Sequence, residues 1–264
     1  MYNQKFAIKT GNFLYNNCYL LYKLLYPVLK NRQDAFEIQL VKSNVKQGDT
    51  ALDIGANIGF MSRIFSKCVG VNGCVFAFEP DSENYSHLQK ELKHLTNVKP
   101  IQAAVSDRQG ITTVYRSPML NVDHRTYPVD HYTTKEEVRS VAVDGFLPEG
   151  AKVTFIKMDI QGFEYTALQG MKRTLQQNKE HLKMLMELWP AGLKKAGASA
   201  LQLFDFLSQS GYDLYLIEKK KMSLLTRKQL VEKNDLPDNI YFNVFVKKSI
   251  CDSSGLRAVQ ETIC

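Results

Sequence analysis

At 264 residues the chain has room for one large core and slightly exceeds the usual size of a single domain, so one domain with an N-terminal helical extension is the economical reading. A formal charge of +7 permits a polyanionic partner without identifying one, and the scattered bases lack the aromatic interleaving of a nucleic-acid groove. The five cysteines (Cys18, Cys68, Cys74, Cys251, Cys264) include no C-x-x-C pair and no Cys/His zinc spacing, so reduced thiols in a cytoplasmic setting and no bound metal are expected.

The apolar run 13–27 is interrupted by Asn16, Asn17 and Lys23 and never reaches the 18 uncharged apolar residues of a membrane span; no small-residue cleavage site follows it. It reads as a helix whose aromatic face, Tyr15, Tyr19 and Tyr22 with Leu24, Leu25 and Tyr26, covers the domain, a second copy in a homo-oligomer, or a membrane surface by peripheral contact. A second helix covers 34–43. The expected division is therefore a helical extension over 1–44, a catalytic domain over 45–248 and a tail over 249–264.

Strand 50–54 breaks into a glycine turn, and Phe60, Ile64, Phe65 and Cys68 then repeat on one helical face until Gly70 and Gly73 stop it. Strand 74–78 leads to Pro80 near a helix start, with Tyr85, Leu88 and Leu92 on the buried side. A third strand covers 98–105, and 111–115 pairs with 138–143 in a meander. The polar stretch 117–137 is too long to be filler and reads as an active-site cover. Strand 153–158 precedes a helix burying Tyr165, Leu168, Met171 and Leu175. Strand 182–188 follows, then a helix capped by Ser199 and Gln202. Segments 212–218 and 240–247 close the sheet as an antiparallel pair at its edge. Repeated strand–helix units with this closing pair predict a doubly wound α/β sandwich.

Asp53 and Glu79 end consecutive parallel strands, so both carboxylates fall at the same C-terminal rim, where open α/β sheets bind ligands. The turn Asp53-Ile54-Gly55-Ala56-Asn57-Ile58-Gly59 lacks the middle glycine of a pyrophosphate cradle, which disfavours a nicotinamide-dependent oxidoreductase. An acidic turn suits a cationic ligand, and S-adenosylmethionine carries both a sulfonium and an ammonium.

Four blocks in register resemble the FkbM methyltransferase family: Leu52 to Gly59, Ala77-Phe78-Glu79-Pro80, Ala104-Val105-Ser106-Asp107, and Ile156-Lys157-Met158-Asp159-Ile160-Gln161-Gly162-Phe163-Glu164. The resemblance runs over about 45–248 and implies a class I methyltransferase (Rossmann-like) fold with seven strands, the last antiparallel. It further implies O-methylation by S-adenosylmethionine of a hydroxyl on a carbohydrate, glycan or natural product. Gln161 and Phe163 stand where many relatives carry Glu and Ala, which leaves the donor site intact while loosening any transfer of a relative's acceptor.

On this resemblance Gly55 and Gly59 let the turn, with Asn57, approach the methionine part of the donor. Asp53 meets the ammonium directly or through turn amides or water, and Glu79 accepts both ribose hydroxyls. Ser106 or Asp107 lies near the adenine amino group, although Asp107 to Gly110 reads equally well as a hairpin turn. Asp159 faces the acceptor, Lys157 two residues before it orients its carboxylate, and Glu164 is either an acceptor contact or a helix-start carboxylate. Glu187 ends a buried strand beside Trp189, an apolar wall for a ring or a core aromatic. His124 and Arg125 in the long loop are substrate contacts. Asp159 or His124 takes the acceptor proton, with Glu187 as a further catalytic candidate. A nucleic-acid methyltransferase is disfavoured by the lack of an Asn/Asp-Pro-Pro-Tyr/Phe motif, and an inactive binding protein by the intact glycines and Glu79.

Overall fold

In the computed structural model the described residues are 11, 13–15, 17–116, 125–126, 132, 134–232, 237 and 240–249. The chain begins with helices α1 (Tyr19–Gln33) and α2 (Ala35–Asn44) and then alternates strand and helix: β1 (Thr50–Ile54), α3 (Phe60–Val69), β2 (Cys74–Phe78), α4 (Ser82–Leu92) and β3 (Val98–Ile101). A small sheet intervenes, made of β4 (Ala104–Val105), β5 (Gly110–Tyr115) and β6 (Lys135–Val141), followed by the single turn α5 (Val143–Phe146). The second half runs β7 (Phe155–Met158), α6 (Glu164–Gln169), α7 (Lys172–Asn178), β8 (Lys183–Leu188), α8 (Pro190–Lys195) and α9 (Ala200–Gln209). It closes with β9 (Tyr212–Glu218), β10 (Lys221–Leu224), α10 (Arg227–Glu232) and β11 (Phe242–Lys248).

The main sheet has the order β10-β9-β11-β8-β7-β1-β2-β3. Strands β8, β7, β1, β2 and β3 are parallel, and β11 lies antiparallel between β8 and β9. The doubly wound class I outline is therefore present, with an eighth strand where seven were expected. Strand β10 folds back on β9, pairing Lys221 with Glu218, and takes the edge, while β11 is interior rather than marginal.

Both faces of the parallel core are covered, which is why its strands read as continuous apolar runs. Alternation along β1 sends Ala51 to the cluster with Phe65, Val75 and Phe155 beneath α2, α3 and α4, and Leu52 to the cluster with Ile156, Leu168, Met171 and Leu203 on the other face.

Three expected elements divide. The third strand splits at Gln102: Ala103 N–H turns back onto the Ile101 carbonyl (3.1 Å), and Ala104–Val105 pairs with β6 instead of the main sheet. The meander partner of β5 ends at Val141, and Val143 already opens α5. The helix after β7 breaks into α6 and α7 at Gly170, where a Cβ would collide with the Ser106 carbonyl oxygen. That contact brings the α6–α7 joint against the end of β4, and backbone cannot yield there.

Tyr15, just before α1, and Tyr19, Tyr22 and Tyr26 on α1 cover the domain, whereas Leu24 and Leu25, expected on the same face, are exposed on the other side of the helix. Tyr15 donates to Asn84 Oδ1 (2.7 Å), Tyr19 stacks on His87 at 3.7 Å between ring centres, and Tyr26 meets Phe60 edge-on. Because Gly170 has an ordinary negative φ, Gly170→Ala probes close packing alone. It is expected to lower stability by roughly 2–3 kcal/mol in urea denaturation, whereas an unchanged midpoint would show that the joint can move away from β4.

Candidate active site at the C-terminal rim

The glycine turn is held by backbone. Gly55 and Ala56 N–H both donate to the Phe78 carbonyl at the end of β2 (3.0 and 2.9 Å), and Asp159 N–H donates to the Ile54 carbonyl at the end of β1 (3.0 Å). Gly55 has φ of +83°, and a Cβ there would collide with the Asp159 carbonyl oxygen, so both its conformation and its neighbour demand glycine. The turn after β1 is thereby clamped between the ends of β2 and β7, and the chemistry-bearing side chains hang from this clamp.

Glu79 is buried just past β2. Its Oε2 accepts from Asn57 N–H (2.8 Å) and its Oε1 from Asp81 N–H (3.1 Å). Burial pushes its carboxyl up to about 8, against the lowering effect of those amides. A side-chain hydrogen bond from Asn84 joins these amides, and the carboxylate's lone pairs leave room for a further donor. Asn57, at φ of +51°, turns its Oδ1 to the Ile58 N–H (2.7 Å), so it shapes the turn.

Asp53 is wholly buried. Its Oδ2 accepts from Ser62 Oγ (2.5 Å), while Oδ1 has no hydrogen-bond partner among the described residues; burial raises its pKa. Asp53 thus lies behind the turn rather than on an open surface, the arrangement that suits action through turn amides or water. Gly59, at φ of +86°, leaves its missing side chain's place to protein: a Cβ there would lie 2.8 Å from Leu88 Cδ1 of α4, so glycine is needed here for helix packing as well.

On the other side of Gly55 is a polar cluster. Register pairs Asp53 with Lys157 across β1 and β7, and Lys157 Nζ reaches Asp159 Oδ2 (3.3 Å) and the Gly55 carbonyl (3.5 Å). Gln161, held at φ of +58°, donates from Nε2 to Asp159 Oδ1 (2.9 Å) and Glu187 Oε1 (3.4 Å). Burial alone would raise Asp159, but Lys157, Lys30 and the Gln161 amide outweigh it and hold the carboxyl below its ordinary value. Burial likewise opposes charge on Lys157, and Asp159 with Asp53 overcomes it and raises the ammonium. The Asp159 side chain is nonetheless 39% exposed, whereas Lys157 is 15% exposed. This is the arrangement of a carboxylate offered to a ligand and braced from behind.

Glu164 does not join that cluster. Its Oε1 accepts from Ile160 and Gly162 N–H (3.1 and 3.2 Å), closing the turn at the start of α6, and burial raises its carboxyl to about 7. Of the two expectations, the helix-start role is the one its contacts fill. Among the described residues no group of three His, Cys, Asp or Glu side chains is gathered as for a metal ion.

Of the two expectations for Trp189, the core aromatic is the one its surroundings fill, at 8% exposure: Gly192 packs against its ring, and Arg125 (4.8 Å) and Lys195 (5.7 Å) lie over it. It anchors the loop instead of presenting a free face. Arg125 also pairs with Tyr115 by two backbone hydrogen bonds, so this part of the long loop is tied to the end of β5 while its side chain reaches Trp189 after β8. His124 lies outside the described residues.

Ser106 and Asp107 line a cleft of about 530 Å³ with Gln109, Phe163 and Thr166. Asp107 also belongs to the short connection between β4 and β5, which is not the expected hairpin, because β6 lies between those two strands; the cleft lining includes neither Glu79 nor Asp159.

The sequence reading missed two supports. Gln161 is the hinge between Asp159 and Glu187, and its only signal was its departure from the usual family residue. Asp81, 1% exposed, caps α4 and pairs with Arg116 Nε (2.6 Å), which also reaches Glu83 and Glu136. This ties Glu79's neighbour to the end of β5, and nothing in the spacing of 81 and 116 announces it.

These residues fit an adenosyl sulfonium donor. A buried carboxylate with spare acceptor capacity, a second with an orphaned oxygen, and a glycine turn between them are what its ribose and cationic methionine end require.

Comparison with known proteins gives a match to the methyltransferase FkbM domain over residues 53–214, more than half of the chain. The hexuronic acid methyltransferase AglP of Haloferax volcanii is 27% identical over 152 residues, covering 56% of this chain and 59% of that protein. The match therefore spans about six tenths of that relative's length. Among solved structures, the methyltransferase FkbM of Methylobacillus flagellatus KT aligns with a TM-score of 0.47 and 16% identity, covering 85% of this chain and 54% of that one. Aeropyrum pernix fibrillarin with natively bound S-adenosyl-L-methionine gives a TM-score of 0.44 and 14% identity, covering 80% and 73%.

Glu79 is raised in the folded state, so its contribution to stability is full below its unfolded value near 4.5 and is lost as pH rises through about 8. Urea midpoints of the wild type should therefore fall between pH 5 and pH 8, and Glu79→Gln should flatten that slope while leaving the smaller part due to Glu164. An identical slope in the variant would mean that Glu79 is ionised throughout.

Proposed function

Because the chain belongs to the FkbM methyltransferase family, we propose that it transfers a methyl group from S-adenosylmethionine to a hydroxyl of a sugar, of the acidic class named for its Haloferax volcanii relative. The observation that carries the reading is Asp159, partly exposed at the sheet rim beside the Gly55 turn and braced by Lys157 and Gln161.

When bound, the cofactor supplies a methyl group on a sulfonium. Glu79 takes the ribose hydroxyls where its two amides and Asn84 leave acceptor capacity, and the orphaned oxygen of Asp53 serves the ammonium through the turn. Ser106 and Asp107 border the adenine.

Asp159 accepts a hydrogen bond from the acceptor hydroxyl and then its proton. Its low pKa keeps it ionised at neutral pH, and a weak base suffices because an oxygen that has just gained a carbon is a far stronger acid than a carboxylic acid. Lys157 and Gln161 fix where the carboxylate points, and such alignment is itself worth orders of magnitude in rate. Glu187 shares Gln161 with Asp159 and so completes the brace. Arg125, carried on Trp189 at the end of β8, supplies positive charge on the side from which an acidic sugar would approach.

The test is radiolabelled methyl transfer to a hexuronate-terminated oligosaccharide. Asp159→Asn should lower kcat by roughly a hundredfold or more while donor affinity in calorimetry stays within about twofold. Glu79→Gln should show the reverse emphasis, weakening the donor by about tenfold or more, because the amide nitrogen puts a donor where the carboxyl group has its second oxygen. No label on the sugar, or full turnover by Asp159→Asn, would overturn the assignment.

A further inference from the structure

The outer face of α1 is aliphatic. Leu20, Leu21, Leu24, Leu25, Val28 and Leu29 recur at the spacing of one helical face and are all exposed, Leu20 at 79% and Leu24 at 69%. This is not a helix waiting to turn over. Its opposite face is fixed by the Tyr15–Asn84 hydrogen bond, the Tyr19–His87 stack, the Tyr26–Phe60 contact and the Lys23–Glu91 ion pair (2.7 Å). A contiguous apolar surface of this kind marks an interaction site.

We propose that this face docks the protein on an anionic lipid surface, with α1 lying in the plane of the headgroups. Charge selects the partner. Residues 1–33 contain Lys5, Lys9, Lys23, Lys30 and Arg32 and no Asp or Glu, so the segment offers bases alone to its surroundings. Lys23 pairs with Glu91 of α4 and Lys30 with Asp34 at the joint between α1 and α2, so within α1 the excess positive charge rests on Arg32. A basic amphipathic helix with Leu on its apolar face has the composition of an interfacial anchor. A second copy is the poorer occupant, because pairing two such faces sets two acid-free basic segments against each other.

Crossing is excluded for α1: 15 residues span about 22 Å, and no helix among the described residues is long and apolar enough to cross a membrane. The inference stands apart from the donor and acceptor assignment, since it concerns a different face of the molecule.

Co-sedimentation of the full chain with phosphatidylcholine–phosphatidylglycerol vesicles, against pure phosphatidylcholine, tests it. The wild type should bind the anionic vesicles, less at high salt. The triple variant Leu20→Glu, Leu24→Glu, Val28→Glu should bind at least about tenfold more weakly with unchanged thermal unfolding and donor titration. Arg32→Gln, which touches no packing, should also weaken binding and covers the case of a triple variant that does not fold. Failure of the wild type to sediment with anionic vesicles would overturn the proposal. So would a dimer in sedimentation velocity that the triple variant dissolves, which would assign the face to a second copy.

Discussion

Everything at the rim depends on one peptide having no side chain. Gly55 lets three strand ends meet: the turn after β1 donates twice to the last carbonyl of β2 and presses on the carbonyl of Asp159 after β7. A methyl group there would separate the half of the site built on Glu79 from the half built on Asp159. The constraint is steric and local, and it keeps Glu79 and Asp159 on opposite sides of the same turn, the places that the proposed function gives to the donor's sugar and the acceptor's hydroxyl.

Electrostatics follows from this packing. Glu79 and Asp53 are drawn into the protein and their carboxyls are raised by burial, while Asp159 stays partly open and is lowered by Lys157, Lys30 and Gln161. Carboxylates near one turn thus differ in ionisation because of their surroundings alone, and such divergence divides binding work from proton transfer. Lys157 is the shared element. It sits in register with Asp53 and reaches Asp159, so its charge stabilises both acidic groups without being exposed to a ligand.

Much of this was legible in the sequence because the parallel strands are buried on both faces, and the breaks between them fall at Gly55, Gly70 and Gly73. The C-terminal rim could be located from Asp53, Glu79 and Asp159 as strand-ending acids. Other features follow from contacts that leave no local mark. The third strand divides at Gln102 with neither glycine nor proline to announce it. Strand β10 is entered through Lys219 and Lys220, both at positive φ, where a two-residue hairpin ordinarily carries Asn-Gly or similar, so the turn reads as a charged surface run. Trp189 could not be told from a ligand platform until Gly192 and Arg125 were seen against its ring. Glu164 looked like a site residue because it lies in the conserved-looking block, yet its partners are the amides of its own turn.

The most direct measurement is a crystal structure of the protein with S-adenosylhomocysteine. The account predicts both ribose hydroxyls within about 3 Å of the Glu79 carboxylate oxygens, the thioether sulfur facing Asp159 across the Gly55 turn, and the base bordered by Ser106 and Asp107. A ligand whose ribose lies away from Glu79, or whose sulfur points away from Asp159, would contradict it.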